Sequence, residues 1–365
     1  MISPKPNIAR LSRHENAALD RAGYLCLDKN EDIIGFDRKI IDDMLSKVDS
    51  HMISAYPMVY KLYEKAAGWL GTQKGSIYVS SGSDGAIKSV FEAYVGKGDG
   101  VVILHPTYAM YYVYSDMFEA DLKKVRFDDD FSLSSGDIIS AISPKTKLVC
   151  IANPNSPTGT VIEEGELLKI IDFADKNRTL VLLDEAYYGY YPVTYLEYIE
   201  RFKNLIVTRS FTKAYGLGSA RLGLAVSNPE IISNLKKVRP IYEVNSFAIL
   251  LGSYVIDHPE IFKEHMVLFR EGKECLLKGL ARIGMKSFDT YANFVLIKMK
   301  DGTEAMALAD RLKDRKVLVR AGFTEEPMQG CIRVNVGTKE QMNRFIKALS
   351  GVLDSAFACK RGQVR

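Results

Sequence analysis

Through the middle of this chain, short apolar runs recur, and each is followed at once by a cluster of polar residues. The runs are Ile77-Tyr78-Val79, Val101-Val102-Ile103-Leu104, Leu148-Val149-Cys150-Ile151, Leu180-Val181-Leu182-Leu183 and Leu205-Ile206-Val207. Runs of this length, bounded by turn residues, suit strands buried on both faces. Longer amphipathic stretches separate them, such as Gly165 to Lys176, with Leu167, Leu168, Ile170, Ile171 and Ala174 at helical spacing. This alternation implies an α/β domain whose mostly parallel sheet is sandwiched by helices. The polar clusters are Ser81 to Gly85, His105 to Tyr108, Asn153 to Gly159, Asp184 to Tyr187 and Arg209 to Lys213. Ligands in open α/β sheets bind outside the carboxyl ends of the strands, so the five loops are expected to converge on one site.

After Pro240 the pattern changes. Residues 247–283 read as one long helical stretch, followed by Phe294-Val295-Leu296-Ile297, an amphipathic stretch through Leu312, Val317-Leu318-Val319, an alternating strand from Cys331 and a helix from about Lys339. A second, smaller α+β domain is expected over 246–365, beside a large domain over 46–245, with 1–45 packing on the small one. At 365 residues, a large and a smaller domain is also the default.

Composition narrows the function classes. A net charge of +4 without a dense Lys/Arg block gives no case for nucleic acid. Five scattered cysteines and five scattered histidines form no metal-ligand spacing, so no metal is expected, and a reducing compartment is. The start of the chain has no apolar signal core, and no run reaches membrane-spanning length; the expected location is cytoplasmic.

The chemistry centres on the run from Ser210 to Gly223. Ser210-Phe211-Thr212-Lys213 fits the Ser-x-x-Lys pattern of serine acylases, but their Ser-Asp-Asn and Lys-Thr-Gly elements do not occur. Gly216 and Gly218 could open a dinucleotide fingerprint, but Arg221 stands where the third glycine belongs. What fits is pyridoxal 5'-phosphate (PLP). Lys213 would form the imine, and Asp184 would keep the ring nitrogen protonated so that the ring accepts electrons. Asp184 would equally serve as a helix N-cap. Tyr187 could bond the phenolic oxygen of the cofactor. Ser83, Asp84 and Gly85 open a helix whose free N–H groups suit a phosphate, with Ser210 and Arg221 completing the cradle. Tyr108 would stack on the ring or simply pack in the core, and His105 reads as a strand-end residue rather than a functional one.

In combination these motifs resemble the fold-type I aminotransferases, most closely the histidinol-phosphate aminotransferase family, from about Leu27 to Leu349. The resemblance also rests on Asn30-Glu31, Tyr56-Pro57, Pro106-Thr107-Tyr108, Asn293-Phe294 and Arg333 to Thr338. It implies the aspartate aminotransferase-like fold and a homodimer in which Tyr56 reaches the phosphate of the neighbouring site. It further implies that Asn155 and Ser156 face the phenolic oxygen, that Arg333 holds the substrate's carboxylate or phosphate with Arg320 as helper, and that Asn30 lies at the substrate site. Four departures stand out. Ser156 replaces the asparagine usual before Pro-Thr-Gly, and Asp32-Ile33 replace Asn-Pro after Asn30-Glu31. Glu243 stands where asparagine is more usual, and Tyr24 is the one stand-in for an upstream Pro-Tyr element. These changes cluster where substrate would sit and argue against histidinol phosphate itself.

The expected activity is transamination. An amino acid, glutamate being the expected donor, would hand its amino group to a small phosphorylated or anionic keto compound, with Lys213 moving the proton as base and then acid. Paired guanidinium groups at Arg320 and Arg333 suit carboxylate and phosphate. The rival on the same fold is decarboxylation of a phosphorylated amino acid, which needs the same residue types. A PLP-binding regulator would carry an added DNA-binding module, for which the short N-terminal segment offers no room.

Overall fold

The structure is a computed structural model that describes residues 2–11 and 19–362, with side chains described through 354. Strand β1 (Leu25–Leu27) comes first in the chain. Seven strands then form the large sheet: β2 (Ile77–Ser81), β3 (Gly100–His105), β4 (Asp121–Arg126), β5 (Thr146–Ala152), β6 (Leu180–Asp184), β7 (Leu205–Ser210) and β8 (Leu222–Val226). Four follow in the C-terminal part: β9 (Ser287–Phe288), β10 (Phe294–Lys298), β11 (Val317–Val319) and β12 (Cys331–Asn335).

The large sheet has the order β2-β8-β7-β6-β5-β3-β4. Strand β8 is antiparallel to both its neighbours, β2 and β7, and the remaining pairs are parallel. All strands but β8 therefore point the same way, and Ser81, His105, Ala152, Asp184 and Ser210 end at one edge. Side chains alternate across the sheet, as strand geometry requires. Val102, Leu104, Val149, Ile151, Val181 and Leu183 face one core with Leu167, Ile170 and Ile171 of the helix Glu164–Lys176. Val101, Ile103, Leu148, Cys150 and Leu182 face the other with Ala86, Ile87, Val90 and Phe91 of the helix Gly82–Tyr94.

Strands β12, β10 and β9 form an antiparallel sheet under two long helices, Pro259–Arg282 and Lys339–Gly362. Their shared core holds Phe269, Leu276, Val295, Ile297, Ile332, Val334 and Phe345. Strand β1 pairs in parallel with β11, and Leu25 and Leu27 enter this same core.

The domain limits differ from those drawn on the sequence. The stretch 247–283 is not one helix: it breaks at His258, and Pro259 begins the helix Pro259–Arg282. The preceding helix, Ser246–Asp257, belongs with the large domain, because Ala248, Tyr254 and Val255 pack with Leu62, Val79 and Leu222. The first 45 residues divide. Strand β1 joins the small domain, whereas Met44 packs in the large-domain cluster and the Asn7 amide donates to the Met117 carbonyl at 2.8 Å.

Candidate active site

Four parallel strands and the helix after β2 deliver polar side chains to a single cavity of about 820 Å³. Its lining includes Ser83, Asp84, Tyr108, Ser156, Asp184, Tyr187, Ser210, Lys213 and Arg221 from the large domain, and Arg320 and Arg333 from the small one. Asn30 joins them from the loop after β1.

Asp184 ends β6 and is buried. Burial pushes its carboxyl up to about 6, against opposing bonds from the Thr208 hydroxyl at 2.7 Å, the Ala186 N–H at 3.2 Å and the Tyr111 hydroxyl at 3.5 Å. Lys213 lies beyond β7. Burial, and next the Arg333 charge, lower its ammonium to about 8. Its Nζ donates to the Asn30 carbonyl at 2.7 Å. Asn30 is clamped on both sides: its N–H donates to Asn335 Oδ1 at 3.1 Å, and its carbonyl also receives the Asn293 amide at 3.2 Å. Its own amide donates to the Tyr187 hydroxyl at 2.8 Å, which Ser156 also bonds.

Arg333 extends from β12 between the rings of Phe294 and Phe323, 5.3 and 6.0 Å from the ring centres. Its Nη2 donates to the Asp28 carbonyl at 3.1 Å, its Nε is buried without a partner, and burial lowers its guanidinium to about 10. Arg320 pairs with it through both backbone bonds, 3.1 and 2.8 Å, and sets its guanidinium over Phe323.

The helix Gly82–Tyr94 opens at the cavity with unpaired first-turn N–H groups, as any helix does. Arg221 lies across that turn. Gly82 has a φ of +73°, which favours glycine, and a Cβ there would stand 2.8 Å from Arg221 Nη2. Arg221 Nη1 donates to Thr212 Oγ1 and the Gly218 carbonyl, both at 3.3 Å. Ser210 Oγ accepts the Thr212 N–H at 3.1 Å. The Tyr108 hydroxyl donates to Asp84 at 3.2 Å and its ring meets Tyr111 edge-on. These residues fit a phosphorylated pyridine. An anion cradle, a buried carboxylate, a low-pKa lysine and a guanidinium line one space.

Three expectations change. Asn155 does not face the cavity. Its amide donates to the Pro106 carbonyl and Thr158 Oγ1, and its oxygen accepts the Thr107 hydroxyl, so it braces the loop and leaves Ser156 alone beside Tyr187. Tyr24 does not line the cavity either. The β1–β11 pairing sets it beside Lys316, whose Nζ lies 4.6 Å from its ring centre and donates to its hydroxyl at 3.4 Å. His105 does end β3, but it also lines the cavity, bonding the Tyr112 hydroxyl at 2.7 Å and Glu325 at 3.2 Å. Tyr56 is outside the cavity of its own chain, 75% exposed and stacked on Tyr242 at 4.3 Å. Gly85 is not among the lining residues, and a Cβ built on it would stand 3.3 Å from Glu243 Oε1. Thr208, Tyr111 and Phe323 were not singled out in the sequence. Thr208 carried a signal, since alternate residues of a strand share a face and its neighbour Ser210 was already assigned.

Comparison with known proteins places this geometry. The model of the family "Aminotransferase class I and II" matches residues 24–349. Histidinol-phosphate aminotransferase of Thermoanaerobacter sp. (strain X514) is 34% identical over 331 residues, covering 90% of this chain and 92% of that protein. Its namesake from Clostridium novyi (strain NT) is 32% identical over 329 residues, covering 89% and 90%. Among solved structures, histidinol-phosphate aminotransferase from Sinorhizobium meliloti, in complex with pyridoxal-5'-phosphate, aligns with a TM-score of 0.86 at 24% identity, covering 96% of this chain and 98% of that one. A Thermus thermophilus aspartate aminotransferase mutant aligns at 0.82 with 19% identity, covering 96% and 100%. Both structural likenesses concern the fold alone.

Proposed function

Because the chain belongs to the class I and II aminotransferase family, we propose that it moves an amino group from an amino-acid donor, glutamate, to a small keto compound bearing a phosphate or second carboxylate, with pyridoxal 5'-phosphate as cofactor. The observation that carries this reading is the meeting of half-buried Lys213 and Arg333 with buried Asp184 in one cavity. When bound there, the cofactor supplies an electron sink for the bond broken at the substrate's α-carbon.

The remaining work falls to the chain. Asp184 presents a carboxylate to the ring nitrogen, where it is ionised above about pH 6. Tyr187 and Ser156 offer hydroxyls to the phenolic oxygen. The first turn of the helix Gly82–Tyr94, with Ser210 and Arg221, holds the phosphate. Tyr108, which lines the same cavity, would cover a ring face. Lys213, with an ammonium near 8, is suited to take a proton from the substrate's Cα as a base and then to donate it as an acid. Arg333 binds the substrate carboxylate, and the nearby Arg320 binds the distal anion. Held by Arg333, the substrate carboxylate would be kept from leaving, and the Cα–H bond would be the one open to Lys213.

The site draws on a second copy of the chain in a homodimer. Tyr56 and Tyr242 stack on a surface where Ile53, Met58, Tyr60, Ile241 and Phe247 are also exposed. Large exposed apolar side chains gathered around such a stack suit an interaction face. Among the described residues no helix is long and apolar enough to cross a membrane.

The test is to mix cofactor-loaded protein with L-glutamate and assay 2-oxoglutarate. Stoichiometric keto acid with loss of the visible cofactor band supports transamination. Release of CO2 from a phosphorylated amino acid, with no keto acid from any donor, would replace it with decarboxylation.

A further inference from the structure

Glu243 is a departure that neither the cofactor contacts nor the substrate pocket absorbs. Its carboxylate is tucked under the phosphate cradle. Oε1 lies 3.3 Å from where a Cβ on Gly85 would stand, so the bare glycine lets it reach the first helical turn. The Tyr78 hydroxyl donates to Oε2, and Tyr78 in turn bonds the Ser89 hydroxyl at 2.9 Å. The backbone N–H of Ser81, the N-cap of the helix Gly82–Tyr94, also donates to the carboxylate. In a capping box that N-cap bond is made by the acidic residue at the third helical position. Here that residue is Asp84, whose carboxylate is taken by Tyr108. Glu243 makes the bond from a distant segment instead.

A helix turn serving a phosphate thus already carries an anion on its back. Two like charges on one turn disfavour each other's ionised forms. We infer that Glu243 couples phosphate binding to a proton, so that the cofactor is held most tightly when this carboxyl is neutral. The inference rests on the reading that this helix start cradles the cofactor phosphate. The groups facing Glu243 are Tyr78 on β2, Tyr63 on the helix Tyr60–Leu70, Lys88 on the cradle helix, and Arg239 on its own segment. Arg239 gives one Nη to the Tyr63 hydroxyl at 3.3 Å. The two cations do not cancel burial, which holds the carboxyl above its ordinary range even before a phosphate arrives. The asparagine usual at this position by resemblance carries no charge.

The experiment measures binding of pyridoxamine 5'-phosphate, which forms no bond to Lys213, by calorimetry on cofactor-stripped protein from pH 6 to 8.5. Wild type is compared with Glu243→Gln, which keeps both hydrogen-bonding positions. The gap between the two dissociation constants is expected to narrow as the pH falls. At pH 8.5 wild type is expected to bind about tenfold more weakly than the variant for each unit by which the phosphate raises the carboxyl. Calorimetry in two buffers of different ionisation enthalpy should show wild type taking up more protons than the variant on binding. Parallel curves with equal proton uptake overturn the inference while leaving the cradle intact. Binding to neither protein at any pH overturns the cradle reading as well. If Glu243→Gln does not fold, Glu243→Asn and the wild-type proton uptake carry the same test: no uptake beyond the ligand's own phosphate titration refutes it.

Discussion

Consider Asp184→Asn in protein stripped of cofactor. Asp184 is fully buried, and burial pushes its carboxyl from 3.8 to about 6. A folded-state value above the unfolded one means that the ionised carboxylate opposes folding. The cost is absent below the unfolded value of 3.8 and complete above about 6. The interval between those values is worth about 3 kcal/mol. Asparagine has nearly the same shape and no charge. Its oxygen can still accept from Thr208 and the Ala186 N–H, and the Tyr111 hydroxyl can turn to accept from the new amide. Imperfect replacement of those bonds reduces the gain, which leaves an expected stabilisation of about 1–3 kcal/mol at pH 7.5, falling below about 1 kcal/mol at pH 4.5. Urea unfolding at both pH values and one protein concentration reads this directly. The same substitution is expected to weaken PLP binding by at least about tenfold, since no charge meets the ring nitrogen. A gain of equal size at both pH values, or a loss at pH 7.5, would refute the claim that a buried charge kept for function costs this fold stability.

Three further outcomes follow from the site. The rate of PLP capture by cofactor-free protein should rise with pH and level off above about 8, because the Lys213 ammonium must lose its proton before it can attack an aldehyde; a flat stopped-flow profile from pH 6 to 9 would contradict this. Arg333→Lys removes the planar fork between Phe294 and Phe323 and should raise the KM for glutamate about tenfold or more with a smaller change in kcat; an unchanged KM would show that the carboxylate binds elsewhere. Tyr56→Ala and Lys213→Ala proteins should each be nearly inactive, and mixing equal amounts with subunit exchange should recover about a quarter of wild-type activity, from one intact site in each mixed dimer. No recovery despite verified exchange would place Tyr56 outside the shared site.

The parts of this fold that were legible in the sequence are the parts buried on both sides. Strands β3, β5, β6 and β7 read as apolar runs because sheet and helices cover both faces. Strand β4 passed unseen. It lies at the sheet edge as Asp121-Leu122-Lys123-Lys124-Val125-Arg126, largely exposed, and its charges guard an unpaired edge rather than mark a loop. The helix Ser246–Asp257 packs against Leu62, Val79 and Leu222, which its apolar spacing does not tell, because spacing shows that a face is buried but not against what. At the site, Lys213, Asp184, Tyr187 and Arg221 were legible because strand ends carry the chemistry in such sheets. Asn155 and Ser156 are adjacent and similar in chemistry, and only the turn of the loop decides which one is consumed by Pro106, Thr107 and Thr158. The clamp on Asn30 was not legible at all, since its partners lie 263 and 305 residues away.

That clamp orders the life of the chain during its synthesis. Asn30 leaves the ribosome early, yet the groups that fix its N–H and carbonyl belong to Asn335, Asn293 and Lys213. At about 5–20 residues per second, the interval before residue 335 follows is about 15–60 s. During that interval the large sheet, complete by Val226, can collapse around Lys213 and Asp184 while the N-terminal strand still lacks β11 to pair with. The lysine is therefore in place before the segment that covers it. A nascent chain that folds in this order leaves the Lys213 amine open to solution until then, and the strand Leu25–Leu27 is among the last parts to dock.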